Sequence, residues 1–555
     1  MKDKIKVTYF NNEVLEVPVN SRILDVYDLI SEKTNRTIIG VKVDGEIVDM
    51  FTKLKKDTYL DFFDTNTIDG YKIYQAGLKF VLEVSLNKVF GDNIEITFNH
   101  SIMRGIHVRV ISDKVITDED VVTIKKEMDR IINSNVEIQK MIVLKKEAYS
   151  YYEKTNNLEK AYNIHNEINE FVTLYKLENK INYFYIEMPP RTKILNKYDL
   201  VNLDNNELVL LFPTLEKADS VPPYVHYEKV IDVFRQEKAW LVNLGVPFVY
   251  QINEKVMNGN ITDLIRLSET NYDNKLYDIA KKIIAKHSKY VMLSGPSSSG
   301  KTTTTKKLAL TLESLGIKTL TISVDDYFKN REDSPRNPDG SYNFECLEAI
   351  DTSKLNADLK ALANAEEVIL PIYNFKAGKR EYHKTPTKLI KGTIILMEGL
   401  HCLNDKLTFD IPKEDKYLIY LSPFMPVNID RHNYISTTDL RLIRRMIRDN
   451  RTRGYDVSKT IDYWQSVRNG EEKYIFPYLD RADIIINTAL VYELGVLKVF
   501  AEPILYSVPN DSPYYEEARR LIKFLNSYFP ITSEYVSNNS VLREFIGGSI
   551  FVEEK

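Results

Sequence analysis

The sequence feature that most constrains the fold is Gly295–Thr302, which reads Gly-Pro-Ser-Ser-Ser-Gly-Lys-Thr. This is the G-x-x-x-x-G-K-T pattern of a phosphate-binding loop, whose backbone N–H groups surround phosphate oxygens. A short apolar run, Tyr290–Leu293, precedes the loop, and Leu308 and Leu312 follow it at helical spacing. The sequence therefore predicts a strand, the loop and a helix in succession.

The residues of this segment have distinct expected roles. Gly295 and Gly300 allow backbone conformations that a Cβ atom forbids. Lys301 is expected to reach the terminal phosphates of ATP, and the Thr302 hydroxyl to ligate magnesium. A chance Gly/Ser turn is the alternative, and the complete motif between strand and helix disfavours it. The expected ATP-binding residues here are Gly295, Pro296, Ser297, Ser298, Ser299, Gly300, Lys301, Thr302 and Thr303.

Length and composition limit the remaining possibilities. The chain has 555 residues, too many for one hydrophobic core, so roughly three or four domains are expected. A net charge of −4 gives no general basis for binding nucleic acid or an anionic membrane. Cys346 and Cys402 cannot form a disulfide framework and fit a reducing compartment. With no apolar run of about 18 residues and no signal-peptide core, we expect a cytoplasmic protein without membrane contact; homo-oligomerisation stays open.

Short apolar runs alternate with helical segments from about residue 286 to residue 510. Continuous apolar character is typical of parallel strands that are covered on both faces. The predicted architecture is an α/β, doubly wound parallel sheet, which binds ligands at the carboxyl ends of its strands. The predicted strands are Tyr290–Leu293, Thr319–Val324, Glu367–Leu370, Ile394–Met397, Tyr417–Leu421 and Ile484–Ile486.

Acidic residues follow two of these strands. Asp325 and Asp326 come after the second strand, where a carboxylate can accept the proton of an attacking hydroxyl while the loop holds the phosphate donor. Adjacent aspartates here also suit a helix cap or a turn. Glu398 follows the fourth strand and is expected to contact magnesium or its waters. The predicted metal ligands are therefore Thr302 and Glu398.

Arginines cluster between residues 441 and 453, where Arg441, Arg445 and Arg448 fall on one face of a predicted helix. Arginine binds phosphate through paired contacts and can spread charge in a phosphoryl-transfer transition state. A solvated helix face is one alternative, and a nucleic-acid surface with little aromatic interleaving is another. The arginines of this segment are Arg441, Arg444, Arg445, Arg448, Arg451 and Arg453.

The order of these motifs resembles the uridine kinase/phosphoribulokinase family over roughly residues 286–500. The resemblance implies a P-loop kinase that uses ATP and Mg²⁺ to phosphorylate the 5′-hydroxyl of uridine or cytidine. The matching segments are Gly295–Thr302, Asp325–Phe328, Tyr342–Phe344, Pro371–Phe375, Glu398–Gly399, Arg444–Asp449, Arg453–Gly454 and Ala482–Ile486.

The resemblance also implies roles for single residues. Asp325 aligns with the base that activates the nucleoside hydroxyl, and Tyr373 with a residue that contacts the nucleobase. Arg451 and Arg453 align with a lid over ATP. The expected catalytic residues are Asp325, Lys301 and Arg448, and the expected substrate-binding residues are Asp325, Tyr327, Phe344, Glu345, Tyr373, Arg445 and Arg448.

The acceptor side departs from the family pattern at three places. Glu345–Leu347 replaces the usual Asp-His-Pro, Asn374 replaces an aspartate, and the histidine expected near Gly378 is missing. The phosphate chemistry therefore carries over better than the acceptor pocket. A kinase for a sugar phosphate or a pantothenate-like acceptor stays open, as does an ATP-gated regulatory or RNA-binding protein.

The first 65 residues predict a small β-grasp domain. Residues 4–10 and 13–19 alternate like strands of a hairpin, and residues 21–33 predict a helix capped by Ser21. Further strands are predicted at Ile38–Val43 and Tyr59–Phe63. This pattern resembles the TGS domain at the front of threonyl-tRNA synthetases.

Residues 66–225 resemble the second additional domain of threonyl-tRNA synthetase, which has an α+β fold. Ala76 and Phe80 stand where that family has a His-x-x-x-His pair, and no cysteine precedes Cys346. Because neither side chain offers zinc a lone pair, we expect a binding or regulatory module without deacylation, whose partner is RNA or a protein. The remaining histidines of the region, interpreted as isolated polar residues, are His100, His107 and His165.

The predicted domain boundaries follow from these patterns, and Pro222-Pro223 marks one of them. Between that boundary and the loop, helices are predicted at Tyr227–Leu244 and Asp273–Lys286. The predicted units are a TGS-like domain (1–65), a synthetase-like α+β domain (66–225), a helical connector (226–285), a P-loop kinase-like domain (286–510) and a C-terminal helical tail (511–555).

Overall fold

The computed structural model describes residues 4–34, 36–91, 94–102, 105–167, 169–215, 217–337 and 340–551. Among these residues, no helix is long and apolar enough to cross a membrane. Residues 1–3 of the predicted first domain and residues 552–555 of the predicted tail lie outside the described ranges.

The first region is a β-grasp fold, as the sequence predicts. Ile5, Val7 and Tyr9 alternate with polar residues along the first strand and pack against the helix. Asn11 and Asn12, both with positive φ, turn the chain into the antiparallel second strand. The elements are β1 (Lys4–Tyr9), β2 (Glu13–Pro18), α1 (Ile23–Ile30), β3 (Ile38–Val43), β4 (Glu46–Val48), β5 (Thr58–Tyr59) and β6 (Asp61–Asp64).

The predicted cap of this helix is wrong. α1 begins at Ile23, and its N-cap is Arg22. Arg22 and Asp25 form an ion pair at 2.7 Å across the first turn, and the Asp25 carboxylate accepts a hydrogen bond from the Arg22 backbone N–H at 3.2 Å. The Ser21 hydroxyl donates to the carbonyl of Pro18 at 2.8 Å and so belongs to the preceding turn.

The second region packs two antiparallel sheets around one long buried helix, α2. Leu78, Phe80 and Leu82 on this helix are fully buried. The sheets have the strand orders β12-β13-β8-β7 and β11-β10-β9. The elements are α2 (Ile68–Phe90), β7 (Glu95–Ile102), β8 (Gly105–Ile111), α3 (Asp118–Asn133), β9 (Gln139–Leu144), α4 (Lys145–Lys154), α5 (Leu158–His165), β10 (Phe171–Leu177), β11 (Lys180–Asn182), β12 (Asp199–Asn202) and β13 (Glu207–Leu211).

Three helices follow: α6 (Glu228–Asn243), α7 (Val249–Met257) and α8 (Ile261–Ala285). α6 matches the first predicted connector helix, whereas the second prediction covers only the latter half of α8. Leu276 and Ile283 of α8 share a core with the strand that precedes the phosphate loop. The connector helices thus pack into the core of the next region.

The next region is a five-stranded parallel sheet of order β15-β18-β14-β19-β22 with helices on both faces, which confirms the doubly wound architecture. The elements are β14 (Tyr290–Ser294), α9 (Lys301–Ser314), β15 (Thr319–Ser323), α10 (Thr352–Ala363), β16 (Pro371–Asn374), β17 (Lys379–Tyr382), β18 (Ile394–Glu398), β19 (Lys416–Ser422), β20 (Asn428–Asp430), β21 (Asn433–Tyr434), α11 (Thr437–Arg453), α12 (Val457–Tyr474), β22 (Ile484–Asn487), α13 (Glu493–Tyr506), α14 (Tyr515–Leu525) and α15 (Arg543–Ile546).

One predicted strand of this sheet, Glu367–Leu370, is wrong. In this run Val368 forms only an isolated bridge to Thr387. The strand of this part of the chain is β16, which starts at Pro371 and pairs antiparallel with β17 in a separate hairpin. Proline lacks the N–H that a central strand needs but is tolerated at the first residue of a strand, which is the position of Pro371 in β16.

The tail after residue 510 belongs to the same core as the sheet. α14 and α15 are helical, but between them only Ser533–Tyr535 forms a short 3-10 helix, so the predicted helical tail is helical only in part. Val541, Leu542 and Phe545 are fully buried in the core that also holds strand β14. This packing brings the end of the described chain against the phosphate loop.

A hairpin of the sheet region, β20–β21, inserts into the second region. The Asn428 amide donates to the carbonyl of Phe98 at 2.8 Å, and the Phe98 N–H donates to the carbonyl of Arg431 at 2.8 Å. His432 follows and lies 3.2 Å from Glu83 on α2, within a fully buried polar network. The two regions are therefore joined by specific buried polar contacts and not by a linker alone.

Candidate active site

The phosphate loop has the backbone shape that its glycines predict. The two glycines are needed for different reasons. Gly300 has φ +84°, and Ser298 also has a positive φ, of +60°. Gly295 is not in that region; an added Cβ there would lie 2.4 Å from the carbonyl oxygen of Leu421. Gly300 is thus required by conformation, and Gly295 by close packing against the neighbouring strand.

Lys301 and Thr302 begin α9 directly after this loop. The Lys301 ammonium donates to the carbonyls of Gly295 and Pro296 at 2.9 and 3.1 Å. These contacts hold the lysine across the loop, where an incoming phosphate would meet it.

Glu398 ends strand β18 beside the loop. Its Oε1 lies 3.5 Å from the Thr302 hydroxyl and accepts a hydrogen bond from Ser323 at 3.1 Å. Desolvation, together with nearby Asp325, raises the pKa of Glu398 to about 7. The described residues hold no group of three or more His, Cys, Asp and Glu side chains suited to a metal. A hydroxyl, one carboxylate and phosphate oxygens fit magnesium, which keeps few protein ligands.

The two neighbouring aspartates at the end of β15 have different surroundings. Asp326 accepts a hydrogen bond from the N–H of Tyr373 at 3.1 Å. Asp325 is exposed toward the cleft, and within the described part of the chain its carboxylate accepts no hydrogen bond. Although it is open to solvent, desolvation by the cleft walls raises the pKa of Asp325, and nearby Lys301 opposes the shift. Asp325 is the carboxylate that remains available to a substrate.

Two of the six arginines on α11 brace the loop from behind. Arg441 and Arg444 are fully buried. Arg441 pairs with Glu471 and donates to the carbonyl of Ser297 at 2.9 Å. Arg444 pairs with Glu493 at 2.6 Å and donates to the carbonyl of Ser298 at 3.3 Å. These two guanidiniums contact loop carbonyls and buried carboxylates, so they support the loop and do not face the cleft.

The cleft-side arginines gather around one buried carboxylate, Asp449. It lies 3.2 Å from Arg445, 2.8 Å from Arg448 and 3.5 Å from Arg453. Arg445 also donates to the Ser297 hydroxyl at 2.8 Å. One anion among three cations leaves excess positive charge beside the loop, which suits a phosphoryl group. Arg451 instead donates to the carbonyls of Glu544 and Phe545, both at 3.3 Å.

An aromatic cluster lies beyond the aspartates, on the expected acceptor side. Phe328 is at its centre, with ring centroids 6.2 Å from Phe344, 5.5 Å from Tyr373 and 6.4 Å from Phe375. Phe344 and Phe375 are partly exposed, so the cluster presents ring surface to the cleft. Tyr327 does not take part in this surface.

The structure contradicts the prediction that Tyr327 binds substrate. Its side chain is 1% exposed and its hydroxyl donates to Asp358 at 3.1 Å. The residue immediately follows the two acidic side chains, and the short 3-10 turn over Val324–Tyr327 directs it into the core. The Tyr327 side chain therefore contributes to packing in this chain.

Glu345 faces the same cleft as the arginines. Burial raises the pKa of Glu345 to about 7, Glu471 adds to the shift, and Arg445 opposes it. Its carbonyl lies 2.9 Å from Nε2 of His401, and an added Cβ on Gly470 would lie 3.1 Å from its Cβ. The backbone and stem of Glu345 are thus fixed, while its carboxyl group remains on the cleft side.

Comparisons with known proteins agree with this geometry. The model of the Phosphoribulokinase / Uridine kinase family matches residues 291–493. The uridine kinase of Macrococcus caseolyticus is 32% identical over 196 residues, which are 35% of this chain and 85% of that protein. The chain belongs to the phosphoribulokinase/uridine kinase family. Membership makes this region a kinase-type phosphotransferase.

A solved structure titled as a possible uridine kinase from Bacillus stearothermophilus shares 20% identity and a TM-score of 0.26, covering 39% of this chain and 98% of that one. The front half has a different relative. The threonine–tRNA ligase of Halalkalibacterium halodurans is 25% identical over 158 residues, 28% of this chain. The chain spans about a quarter, 24%, of that ligase's length.

In the second region, the two positions that hold the histidine pair of the synthetase family carry no side chain that can bind a metal. Ala76 and Phe80 are buried in the core of the second region. The sequence predicts His100 and His107 to be isolated polar residues, and this prediction is wrong. Their rings stack with centroids 4.8 Å apart on paired strands. His107 also lies 3.2 Å from Glu207. The register of β7 and β8 brings the two rings together, and a register between strands cannot be read from the sequence.

Three contacts of the kinase site are not predicted by the sequence. They are the anchoring of Tyr373 by Asp326, the gathering of arginines by Asp449, and a bond between Glu544 and the loop helix. The aspartate at 449 lies inside the arginine cluster, so an acid among six cations was a usable signal. Glu544 is about 240 residues from the loop in sequence, and no local pattern links the two.

Proposed function

We propose that this kinase transfers the γ-phosphate of ATP to the 5′-hydroxyl of a pyrimidine nucleoside, uridine or cytidine. The observation that carries the proposal is the position of Asp325. Its carboxylate is exposed in the cleft and lies close enough to Lys301 of the phosphate loop for the lysine to influence its pKa. A free carboxylate beside a phosphate loop is what transfer to a hydroxyl needs.

Each step of the chemistry is assigned to a residue in the cleft. Lys301 and the loop N–H groups bind the phosphates, and the Asp325 carboxylate accepts the proton of the acceptor hydroxyl. Arg445, Arg448 and Arg453 stabilise the charge that spreads over the transferring group. Magnesium, when bound, neutralises phosphate charge, and Thr302 and Glu398 would hold it.

The aromatic cluster supports a planar acceptor. Partly exposed rings at Phe344 and Phe375 offer stacking area to a nucleobase, which a sugar phosphate does not use. The guanidinium of Arg331 lies against Gly378, 2.8 Å from where a Cβ would stand. An arginine there supplies donors for the carbonyl oxygens of a pyrimidine, near the place where the family's histidine is missing.

A screen of acceptors tests the proposal. Purified full-length protein with ATP and Mg²⁺ would be given uridine, cytidine, purine nucleosides, sugar phosphates and pantothenate, and ADP release measured. We expect acceptor-dependent release with uridine and cytidine, and release that is roughly a hundredfold slower or less from the Asp325→Asn variant. Release only with a sugar phosphate would overturn the nucleoside assignment. ATP binding without acceptor-dependent release from any compound would favour a nucleotide-gated regulator.

The front half fits a role in binding. A stretch of 158 residues near the start of the chain is similar to the synthetase relative, but Ala76 and Phe80 provide no metal ligand. We infer a domain that binds RNA or a protein through its shape and surface, with the sheet region's hairpin β20–β21 fixing it to the kinase.

A further inference from the structure

A carboxylate of the protein itself contacts the first turn of the loop helix. Oε2 of Glu544 accepts hydrogen bonds from the backbone N–H of Thr303 at 3.1 Å and from its hydroxyl at 2.8 Å. Thr303 is the third residue of α9, which starts at Lys301. The first N–H groups of a helix lack intrahelical partners, and in a phosphate loop they face the nucleotide. Glu544 therefore uses donors that a bound phosphate group requires.

The backbone that carries Glu544 is firmly held. Val541 packs so closely on the loop that a Cβ on Gly300 would lie 2.5 Å from its Cγ2. Phe545 is buried and lies under the guanidinium of Arg444, 4.8 Å from ring centroid to Cζ. Arg451 donates to the carbonyl of Glu544. Because the flanking residues belong to the core, only the Glu544 side chain, which is half-buried, is free to leave the helix terminus.

The negative charge of Glu544 prevents a phosphate group from binding beside it at the same donors. A phosphate and a carboxylate are both anions, and the two Thr303 donors cannot serve both groups at once. Like charges at short range in a partly desolvated site repel strongly, so phosphate binding would expel the Glu544 side chain.

We propose that Glu544 is an autoinhibitory group that occupies the Thr303 donors in the resting protein and competes with the phosphates of the nucleotide. The inference rests on the proposed binding of ATP at this loop. Under this competition, the apparent association constant for the nucleotide equals the intrinsic constant multiplied by the fraction of molecules whose Thr303 donors are free. It sets the nucleotide concentration at which the kinase becomes active. A helpful role for Glu544, such as holding the nucleotide's ribose, predicts the opposite sign.

The test measures nucleotide binding to the full-length protein by titration calorimetry. ATP and inorganic triphosphate would be titrated into the wild type, Glu544→Gln and Glu544→Ala. We expect both ligands to bind the alanine variant about tenfold more tightly, the gain expected if about a tenth of molecules are open. The glutamine variant keeps the shape and loses the charge, so it should fall between. Exposed Glu534 in the same tail provides the matched control, Glu534→Ala, which should change nothing.

The possible outcomes separate this inference from the proposed function. Unchanged or weaker binding by both Glu544 variants, with melting temperatures near that of the wild type, would overturn the competition. Triphosphate binding that tightens in the variants while ATP does not bind at all would overturn the ATP assignment and keep the competition. If neither ligand binds any variant, both claims fail.

Discussion

Oδ1 of Asp326 accepts a hydrogen bond from the backbone N–H of Tyr373 at 3.1 Å, and this contact separates the two adjacent aspartates by role. Asp326 fixes the hairpin that carries Tyr373, whereas Asp325 faces the cleft. We predict that Asp325→Asn lowers turnover by roughly a hundredfold or more, the scale of general-base catalysis, with little change in ATP affinity.

The neighbouring variant is the control for this prediction. Asp326→Asn should mainly raise KM for the acceptor, because a weaker anchor loosens the Tyr373 hairpin. Steady-state kinetics of both variants distinguish the roles. A large loss of kcat in Asp326→Asn with normal kcat in Asp325→Asn would reverse the assignment.

Lys301 is predicted to be essential for turnover and dispensable for folding. Among the described residues its ammonium donates hydrogen bonds to the carbonyls of Gly295 and Pro296 and forms no ion pair, so removing it breaks no buried salt bridge. Lys301→Ala should abolish phosphate transfer while the melting temperature stays close to that of the wild type. Transfer assays measure the loss of activity, and thermal denaturation measures the stability. Retained activity in Lys301→Ala would contradict the kinase mechanism.

The arginines of α11 are predicted to divide into structural and functional groups. Arg444 is paired with Glu493 in the core, so Arg444→Met should destabilise the protein by about 3–5 kcal/mol, the usual cost of breaking a buried pair. Arg448→Met leaves Asp449 with Arg445 and Arg453 and should lower kcat roughly a hundredfold at nearly normal stability. Thermal melts and kinetics on both variants would show this division; equal losses of stability would refute it.

The parallel sheet and the loop could be predicted because their signals are local. Continuous apolar runs identify buried strands, and the loop motif specifies its own turn, as the φ of Gly300 shows. The segment Glu367–Leu370 failed because a short apolar run before a proline looks the same in a sheet and in a hairpin. Nothing local distinguishes these two environments.

The site was harder to predict where side chains contact distant residues. A helical face groups Arg441 with Arg445 and Arg448, but burial depends on what packs on that helix, and Glu471 on α12 draws Arg441 into the core. The family motif likewise could not show that Tyr327 turns away toward Asp358. Long-range pairing, and not residue type, decides which polar groups face the cleft.

Acceptor binding should depend on pH through Glu345. Its pKa is raised to about 7, above the ordinary value of 4.5, so the carboxyl is neutral below that pH and charged above it. A charged carboxylate accepts hydrogen bonds from hydroxyls more strongly than a neutral acid does. KM for the nucleoside should therefore fall severalfold between about pH 6 and 8. Glu345→Gln should show a flat profile, and an unchanged pH dependence in that variant would rule Glu345 out.

The front half should bind no stoichiometric zinc and should not deacylate seryl-tRNA. A methyl group at Ala76 and a phenyl ring at Phe80 provide no lone pair, and an activated water has no metal to bind. Elemental analysis and a deacylation assay on the full-length protein test this. Zinc bound at one equivalent together with hydrolysis would contradict it and would point to His100 and His107 as ligands.

The most direct measurement of the central claim follows the phosphoryl group itself. Full-length protein would be incubated with ATP labelled in the γ-phosphate, Mg²⁺ and uridine or cytidine, and the products separated by chromatography. We predict label in the nucleoside 5′-monophosphate with the wild type, and label that accumulates roughly a hundredfold more slowly or less with Asp325→Asn. Label that remains in ATP or free phosphate with every nucleoside, despite measurable ATP binding, would contradict it.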